Sequence, residues 1–141
     1  MTDRPVIVDE PDLFPIESAD GVDIDVSIVL PVYNEKGHLR AEIDRIRAAM
    51  DASEYSYEII VIDDGSSDGS GEALREIEGI RLIQFLTNRG SGSARKFGTR
   101  AARGDVVVWT DVDMTYPNDL IPQLVDELAG YDQVVGARTS E

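Results

Sequence analysis

From residue 26 onward, apolar runs of strand length alternate with stretches whose apolar residues recur every three or four positions. That is the pattern of βαβ units: strands covered on both faces read as near-continuous Val/Ile runs, and each intervening helix buries one stripe. Residues 26–30 predict a first strand, ended by Pro31 because proline has no N–H for a central ladder. A helix follows over 36–50, with Leu39, Ile43, Ile46 and Met50 on one stripe. Residues 57–62 predict the second strand and 65–69 a turn with Ser67 or Asp68 as N-cap; a short helix through Leu74 and Ile77 leads to a third strand at 80–85. After the glycine-rich 88–93 come an alanine-rich helix over 94–102 and a strand running into Asp111. Pro117-Asn118-Asp119 opens another helix with Leu120, Leu124 and Leu128 on one face, and 133–135 predicts a last strand. The expected fold class is α/β, a Rossmann-like, mostly parallel sheet flanked by helices on both faces.

Residues 1–25 stand apart. Pro5, Pro11, Pro15 and scattered acids predict an acidic, weakly structured arm in front of a domain spanning 26–141. A basic flank and apolar core are both missing, so the arm does not read as a signal peptide. The chain stops soon after its last predicted strand, and the expectation is the N-terminal portion of a larger domain.

Composition narrows the chemistry. The chain has no cysteine, which excludes disulfides and thiolate metal sites. Its apolar runs fall far short of the roughly 18 residues of a membrane span. A net charge of −15, from 28 acidic and 13 basic residues, repels nucleic acid and anionic lipid, so a phosphate-bearing ligand needs a local cation or a metal. Only Lys36 and Lys96 are lysine; the other basic residues are arginine. Two readings account for this surface: adaptation to molar salt, where the screening length falls to about 3 Å, or a GC-rich genome.

Candidate chemistry gathers at the predicted carboxyl ends of the strands. Asp111 and Asp113 bring hard oxygen ligands to the edge where open α/β folds bind, and suit a divalent cation carrying a diphosphate. Acids on loops are also often solvated or capping, so the triplet alone leaves both readings open. The loop Pro31-Val32-Tyr33-Asn34-Glu35 can present a ring and a carboxylate to a base or ribose; equally, Glu35 can serve the first turn of a helix. Asp63 and Asp64 follow an apolar strand, and alternation sends them to opposite faces, so one of the two is expected to reach the cleft. The run 88–94, with Gly92 within it, turns into a helix whose first amides can meet a phosphate, although it matches neither the dinucleotide fingerprint nor the P-loop. Whether Arg95 and Lys96 face ligand or solvent is open, and His38 reads as solvated.

Taken in order, Pro31-Val32-Tyr33-Asn34-Glu35, Asp63-Asp64-Gly65-Ser66-Ser67-Asp68-Gly69, Asn88-Arg89-Gly90 with Gly98 and Gly104-Asp105, and Asp111-Val112-Asp113 resemble the N-terminal half of a family 2 inverting glycosyltransferase of the GT-A fold. The resemblance covers roughly 26–138. Gly136-Ala137-Arg138 is similar to the ending of this region in polyprenyl-phosphate sugar synthases of the dolichol-phosphate mannose synthase type. Those synthases often carry Gln two residues after the second Asp, where this chain has Thr115.

The resemblance implies a nucleoside-diphosphate sugar donor and, for that subgroup, a polyprenyl phosphate acceptor. Pro31, Tyr33 and Glu35 would line the nucleotide pocket, with Asp64 or Asp63 near the base and Gly92 toward phosphate. Asp111 and Asp113 would be the catalytic pair holding Mg²⁺ or Mn²⁺, and Arg138 would approach phosphate. A cytoplasmic protein is expected, at the cytoplasmic face of the membrane when full-length. The competing expectations are a non-catalytic nucleotide-binding module on the same fold and, less well matched because no acid pair follows the first strand, a receiver domain.

Overall fold

The computed structural model describes residues 5–16, 23–111 and 117–128. Among them, β1 (Val6–Val8), β2 (Ile24–Val32), β3 (Tyr57–Asp63), β4 (Arg81–Phe85) and β5 (Gly104–Trp109) form one sheet in the order β1-β4-β3-β2-β5, with every pair parallel. Successive side chains leave a strand on opposite faces. On one face, Val26, Ile28, Leu30, Ile59 and Val61 pack with α1 (Leu39–Asp51) through Leu39, Ile43 and Ile46, and with α2 (Ser70–Arg75) through Leu74. On the other, Val29, Ile60, Ile62 and Ile83 meet Ala94, Phe97 and Ala101 of α3 (Ser91–Ala101). This is the doubly covered α/β sheet that the apolar pattern predicts. The chain steps outward from β2 through β3 to β4, then crosses back to place β5 on the far side of β2. The strand order therefore reverses between β2 and β5, where open sheets of this kind form a crevice at their carboxyl ends.

Several boundaries differ from expectation, each for a local reason. Strand β2 does not stop at Pro31 but continues to Val32, with Pro31 in register with Ile62. Val29 accepts the Thr110 amide from the β5 side and Val32 accepts the Asp64 amide from the β3 side. By alternation, the position of the missing N–H at Pro31 faces the β5 side, beyond the last pair Val29–Trp109, and no rung is lost. Helix α1 begins at Leu39 rather than 36, and α3 begins at Ser91 rather than 94, which puts Gly92 in its first turn. A 3-10 turn, Asn118–Leu120, leads into α4 (Ile121–Glu127). Its contact with the core comes from Ile121 and Val125, while Leu120 is exposed, so the buried stripe is one residue out of phase with the predicted one. The predicted strand at 133–135 lies outside the described residues.

The arm expected to be weakly structured is ordered over 6–16. Its Val-Ile-Val run pairs with β4 as the edge strand β1, and Phe14 tilts against Phe97 with ring centroids 5.8 Å apart. Arg100 donates to the carbonyls of Pro11 (3.1 Å) and Phe14 (3.0 Å), so the arm is fastened to α3. A β-branched run beside an open parallel edge gains both a ladder and apolar cover, which the prolines around it do not prevent.

At the amino ends of the strands, Glu58 gathers three donors. Its carboxylate accepts from the Ser27 hydroxyl (2.5 Å), the Arg103 amide (2.8 Å) and Arg81 (2.8 Å), and Arg81 also reaches the Ala101 carbonyl (2.9 Å). The Gly104 amide joins through Ser27 Oγ (2.8 Å). Burial opposes ionisation of Glu58, but the Ser27, Arg103 and Arg81 hydrogen bonds outweigh it and hold its carboxyl below the ordinary 4.5. The stability it contributes is thus present above pH 4.5 and is lost as pH falls through the lower folded value. Urea denaturation should find Glu58→Gln about 1–2 kcal/mol less stable than the parent at pH 7, with the gap narrowing at pH 3; a gap independent of pH would contradict the charged network.

Candidate functional site

Three loops leave the carboxyl ends of β2, β3 and β4, and side chains lace them into one edge. Asn34 takes a left-handed conformation (φ +54°), which asparagine tolerates better than most residues. Its amide donates to Ser66 Oγ (3.0 Å) and its Oδ1 accepts the Ser67 amide (2.8 Å), a reciprocal clasp between the first loop and the second. The Glu35 amide donates to Ser70 Oγ (3.1 Å) and the Lys36 amide to Asp68 Oδ2 (3.3 Å), extending the seam to the entry of α2. Asp68 also accepts the Ser70 amide (2.9 Å), so it organises the helix start as the sequence suggests, although Gly69 occupies the cap position itself. Tyr33, with 49% of its surface exposed, stands open at this edge, and Glu35 is half-buried.

The adjacent acids do go to opposite sides, and each holds a loop. Asp63 accepts the Ser66 amide (3.0 Å) on one oxygen and Gln84 Nε2 (3.0 Å) on the other, beneath α2. Asp64, only 1% exposed, accepts the Arg89 amide (2.6 Å) on Oδ1, and the Gly90 amide (2.8 Å) and Asn88 Nδ2 (3.1 Å) on Oδ2. Burial pushes the Asp64 carboxyl above its ordinary value; the Arg89 and Gly90 amides counter this, and the charge of Asp63 adds to it. Gly65, at φ +71°, allows the close approach: a Cβ there would lie 2.6 Å from the Asn88 nitrogen. Asp64 and Gly65 together fix the glycine-rich loop against the end of β3.

Helix α3 carries this edge across to the reversal point. Arg95, whose orientation the sequence left open, turns toward Asp111, with Nη2 3.6 Å from Oδ1, while Lys96 points to the surface near Asp12. Asp111 follows β5 and is half-buried, and its backbone carbonyl accepts from Asn118 Nδ2 (3.1 Å). A half-buried carboxylate beside one guanidinium is a hard-oxygen donor suited to Mg²⁺ or Mn²⁺, but among the described residues no group of three or more His, Cys, Asp or Glu side chains gathers as a complete ligand set. Asp113 and Arg138 lie outside the described residues.

The structure therefore brings Tyr33, Glu35, Asp63, Asp64, Gly92 and Asp111 to one connected edge, with Pro31 in the strand just below it. Sequence reasoning passed over Asn34 and Asn118, whose side-chain amides help to cross-link the loops. An asparagine immediately after a strand, where a turn needs positive φ, is the signal that could have found the first. Concave surface at the opposite end of the sheet, around Asp25, Glu54 and Asp105, is lined by carboxylates that repel phosphate.

Comparison with known proteins follows the same segments. The pattern of the family described as Glycosyl transferase family 2 matches residues 27–141. The undecaprenyl-phosphate 4-deoxy-4-formamido-L-arabinose transferase of Aeromonas hydrophila subsp. hydrophila is 44% identical over 115 residues, covering 77% of this chain and 35% of that protein. Its counterpart in Pseudomonas fluorescens is 40% identical over 121 residues, 82% of this chain and 36% of that one. The chain thus spans about a third of the length of these curated relatives. Among solved structures, glucosyl-3-phosphoglycerate synthase from Mycobacterium tuberculosis, in complex with Mn²⁺, UDP and glucosyl-3-phosphoglycerate, superposes with a TM-score of 0.61 at 30% identity over 77% of this chain and 41% of that chain. Since the matched region starts within β2 and takes in every loop of the laced edge, the chain belongs to glycosyltransferase family 2, on a GT-A type fold.

Proposed function

We propose that the protein carrying this chain is an inverting glycosyltransferase that takes a nucleoside-diphosphate sugar as donor and a polyprenyl phosphate as acceptor, with Mg²⁺ or Mn²⁺ as cofactor. The observation that carries the reading is the single laced edge at the strand reversal, which sets Asp111 beside Arg95 of α3 and Tyr33 open above β2. Relatives named for transfer to undecaprenyl phosphate, and a structural neighbour holding Mn²⁺ and UDP, support it.

In this reading, Pro31, Tyr33 and Glu35 line the nucleotide pocket, the Asp64-held loop with Gly92 meets phosphate, and Arg138 serves phosphate on the donor or the acceptor. Asp111 and Asp113 would hold the metal, which supplies Lewis-acid stabilisation of charge growing on the departing diphosphate. Arg95 adds a fixed positive charge to a protein whose net charge is −15. A phosphate acceptor is already anionic and needs no general base to attack in line. No helix among the described residues is long and apolar enough to cross a membrane, and work at the cytoplasmic face on a lipid-linked acceptor is part of the proposal.

Calorimetric titration with UDP and GDP, first in EDTA and then with Mn²⁺, tests the reading. Binding should strengthen at least tenfold with metal, and Asp113→Asn should lose most of that gain because one anionic ligand is removed while shape is kept. Equal affinity with and without metal would refute the metal role; binding without any transfer by the full-length protein would favour a non-catalytic module.

A further inference from the structure

We propose that the arm over residues 6–16 is a brace for the glycine-rich loop, and that Arg89 is the positioning residue through which it acts; the proposal rests on the functional reading above, in which that loop meets phosphate. The arm precedes the residues matched by the family pattern, which begin at 27. Strand β4 lies between β1 and β3, so the loop that leaves it has a neighbour on either side. Toward β3, Asp64 accepts the amides of Arg89 (2.6 Å) and Gly90 (2.8 Å). Toward β1, the Leu86 amide donates to the Val8 carbonyl (3.0 Å) and Arg89 Nη2 donates to the Asp9 carbonyl (2.8 Å). Arg89 is thus bonded at both ends, its amide to the end of β3 and its guanidinium to the arm. Glu10 adds a carboxylate 3.7 Å from the same Nη2, but an exposed pair of this kind contributes little.

Packing does not hold this stretch. From 88 to 93 the chain reads Asn-Arg-Gly-Ser-Gly-Ser, in which Arg89 is the one long side chain, and a Cβ built at Gly90 or Gly92 would meet nothing within 4 Å. Hydrogen bonds must therefore fix the loop. The acceptor that Arg89 reaches is itself fixed: Val8, fully buried, is in register with Phe85 on β4, and farther along the arm Arg100 takes the carbonyls of Pro11 and Phe14. Asp9 lies between these two attachments. A loop held in its binding conformation spares the ligand the cost of selecting it, and one that is competent for only about a tenth of the time binds about tenfold more weakly.

The test is titration of the full-length protein with UDP at a fixed Mn²⁺ concentration, with melting temperatures and amide hydrogen exchange measured in parallel. Arg89→Met keeps the stem and removes the donors, whereas Val8→Asn strips the arm from β4 and leaves Arg89 intact. Each should weaken UDP about tenfold and lower protection of the Gly90 amide by a similar factor, and the double variant should be no weaker than either alone. Arg89→Lys, which returns a charged donor, should recover part of the affinity that Arg89→Met loses. Arg100→Ala frees the far end of the arm while Val8 stays paired, and is the control for lost stability with UDP affinity kept. Direct contact between Arg89 and the nucleotide would give a different pattern: Val8→Asn at parent affinity although the Leu86 amide has lost protection, or losses that add in the double variant. Either result would overturn the brace. Should Val8→Asn fail to fold, Gly90 exchange in Arg89→Met decides the point, because parent-like protection there overturns the proposal. A parent protein that does not bind UDP would instead overturn the functional reading itself, and this proposal with it.

Discussion

Asp64→Ala is expected to lower stability by about 2–4 kcal/mol and to weaken UDP binding together with it. The carboxylate is buried and accepts three hydrogen bonds from the Asn88-Arg89-Gly90 loop, and each bond to a charged acceptor contributes about 1.5–3 kcal/mol before water offers partial replacement. Alanine leaves the Arg89 and Gly90 amides without that acceptor, and Gly65 no longer has a loop to pack beneath. Asp64→Asn should fall between the two, since it keeps one accepting oxygen but turns an NH₂ toward a donor. Urea denaturation and amide hydrogen exchange at Arg89 and Gly90 are the measurements. If Asp64→Ala lost UDP affinity while stability and exchange protection stayed at parent values, Asp64 would be a contact to the base and not the clasp of the loop.

Gly98→Ala should be the most damaging small substitution in α3. A Cβ at Gly98 would lie 2.3 Å from Val29 Cγ1 and 3.2 Å from Cγ2. Val29 is fully buried on the central strand, and its branched side chain has little freedom to turn away. Alanine gains about 1 kcal/mol in helix propensity, but forcing the helix off the sheet costs more, for a net loss of about 2–3 kcal/mol. Val29→Ala alone costs about 2 kcal/mol as a cavity, whereas the double variant should be more stable than the sum of the two by about 1–2 kcal/mol, because truncating Val29 vacates the space that the methyl added at position 98 needs. Strict additivity would mean that the close approach of α3 to β2 is not what the glycine serves. Because α3 also carries Arg95 toward Asp111, Gly98→Ala should weaken Mn²⁺ binding where Val29→Ala does not.

The α/β class, the parallel sheet and the loops that matter were legible in the chain because they follow from short-range rules. Buried strands must be apolar on both faces, helices must show a stripe, and a glycine or paired carboxylate at a strand end has few bland uses. Ile59 to Ile62, buried in β3 and running into Asp63 and Asp64, carry that information in consecutive residues, whereas Val106 to Trp109, running toward Asp111, form a strand that is only half-buried and ends on the exposed Trp109. The four ordered segments likewise sufficed to point to the family that the comparison established.

Other features depended on partners far away in the chain. Whether Pro31 ends a strand turned on where β5 stops, and whether Val6–Val8 joins the sheet turned on the open edge of β4. The phase of α4 followed Ile121 and Val125 because the core below offered them space, which its own leucine spacing does not encode. Asn34 and Asn118 read in the chain as ordinary loop polar residues and Asp64 as a candidate ligand contact; only folding reveals that Asp64, Asn34 and Asn118 have partners 25, 33 and 8 positions away. The sequence by itself determined which residues can be buried and which carry charge, since both are properties of side chains. The tertiary structure decided which polar groups spend their hydrogen bonds on holding loops together, because a buried donor or acceptor must find a partner and the fold alone brings that partner within reach.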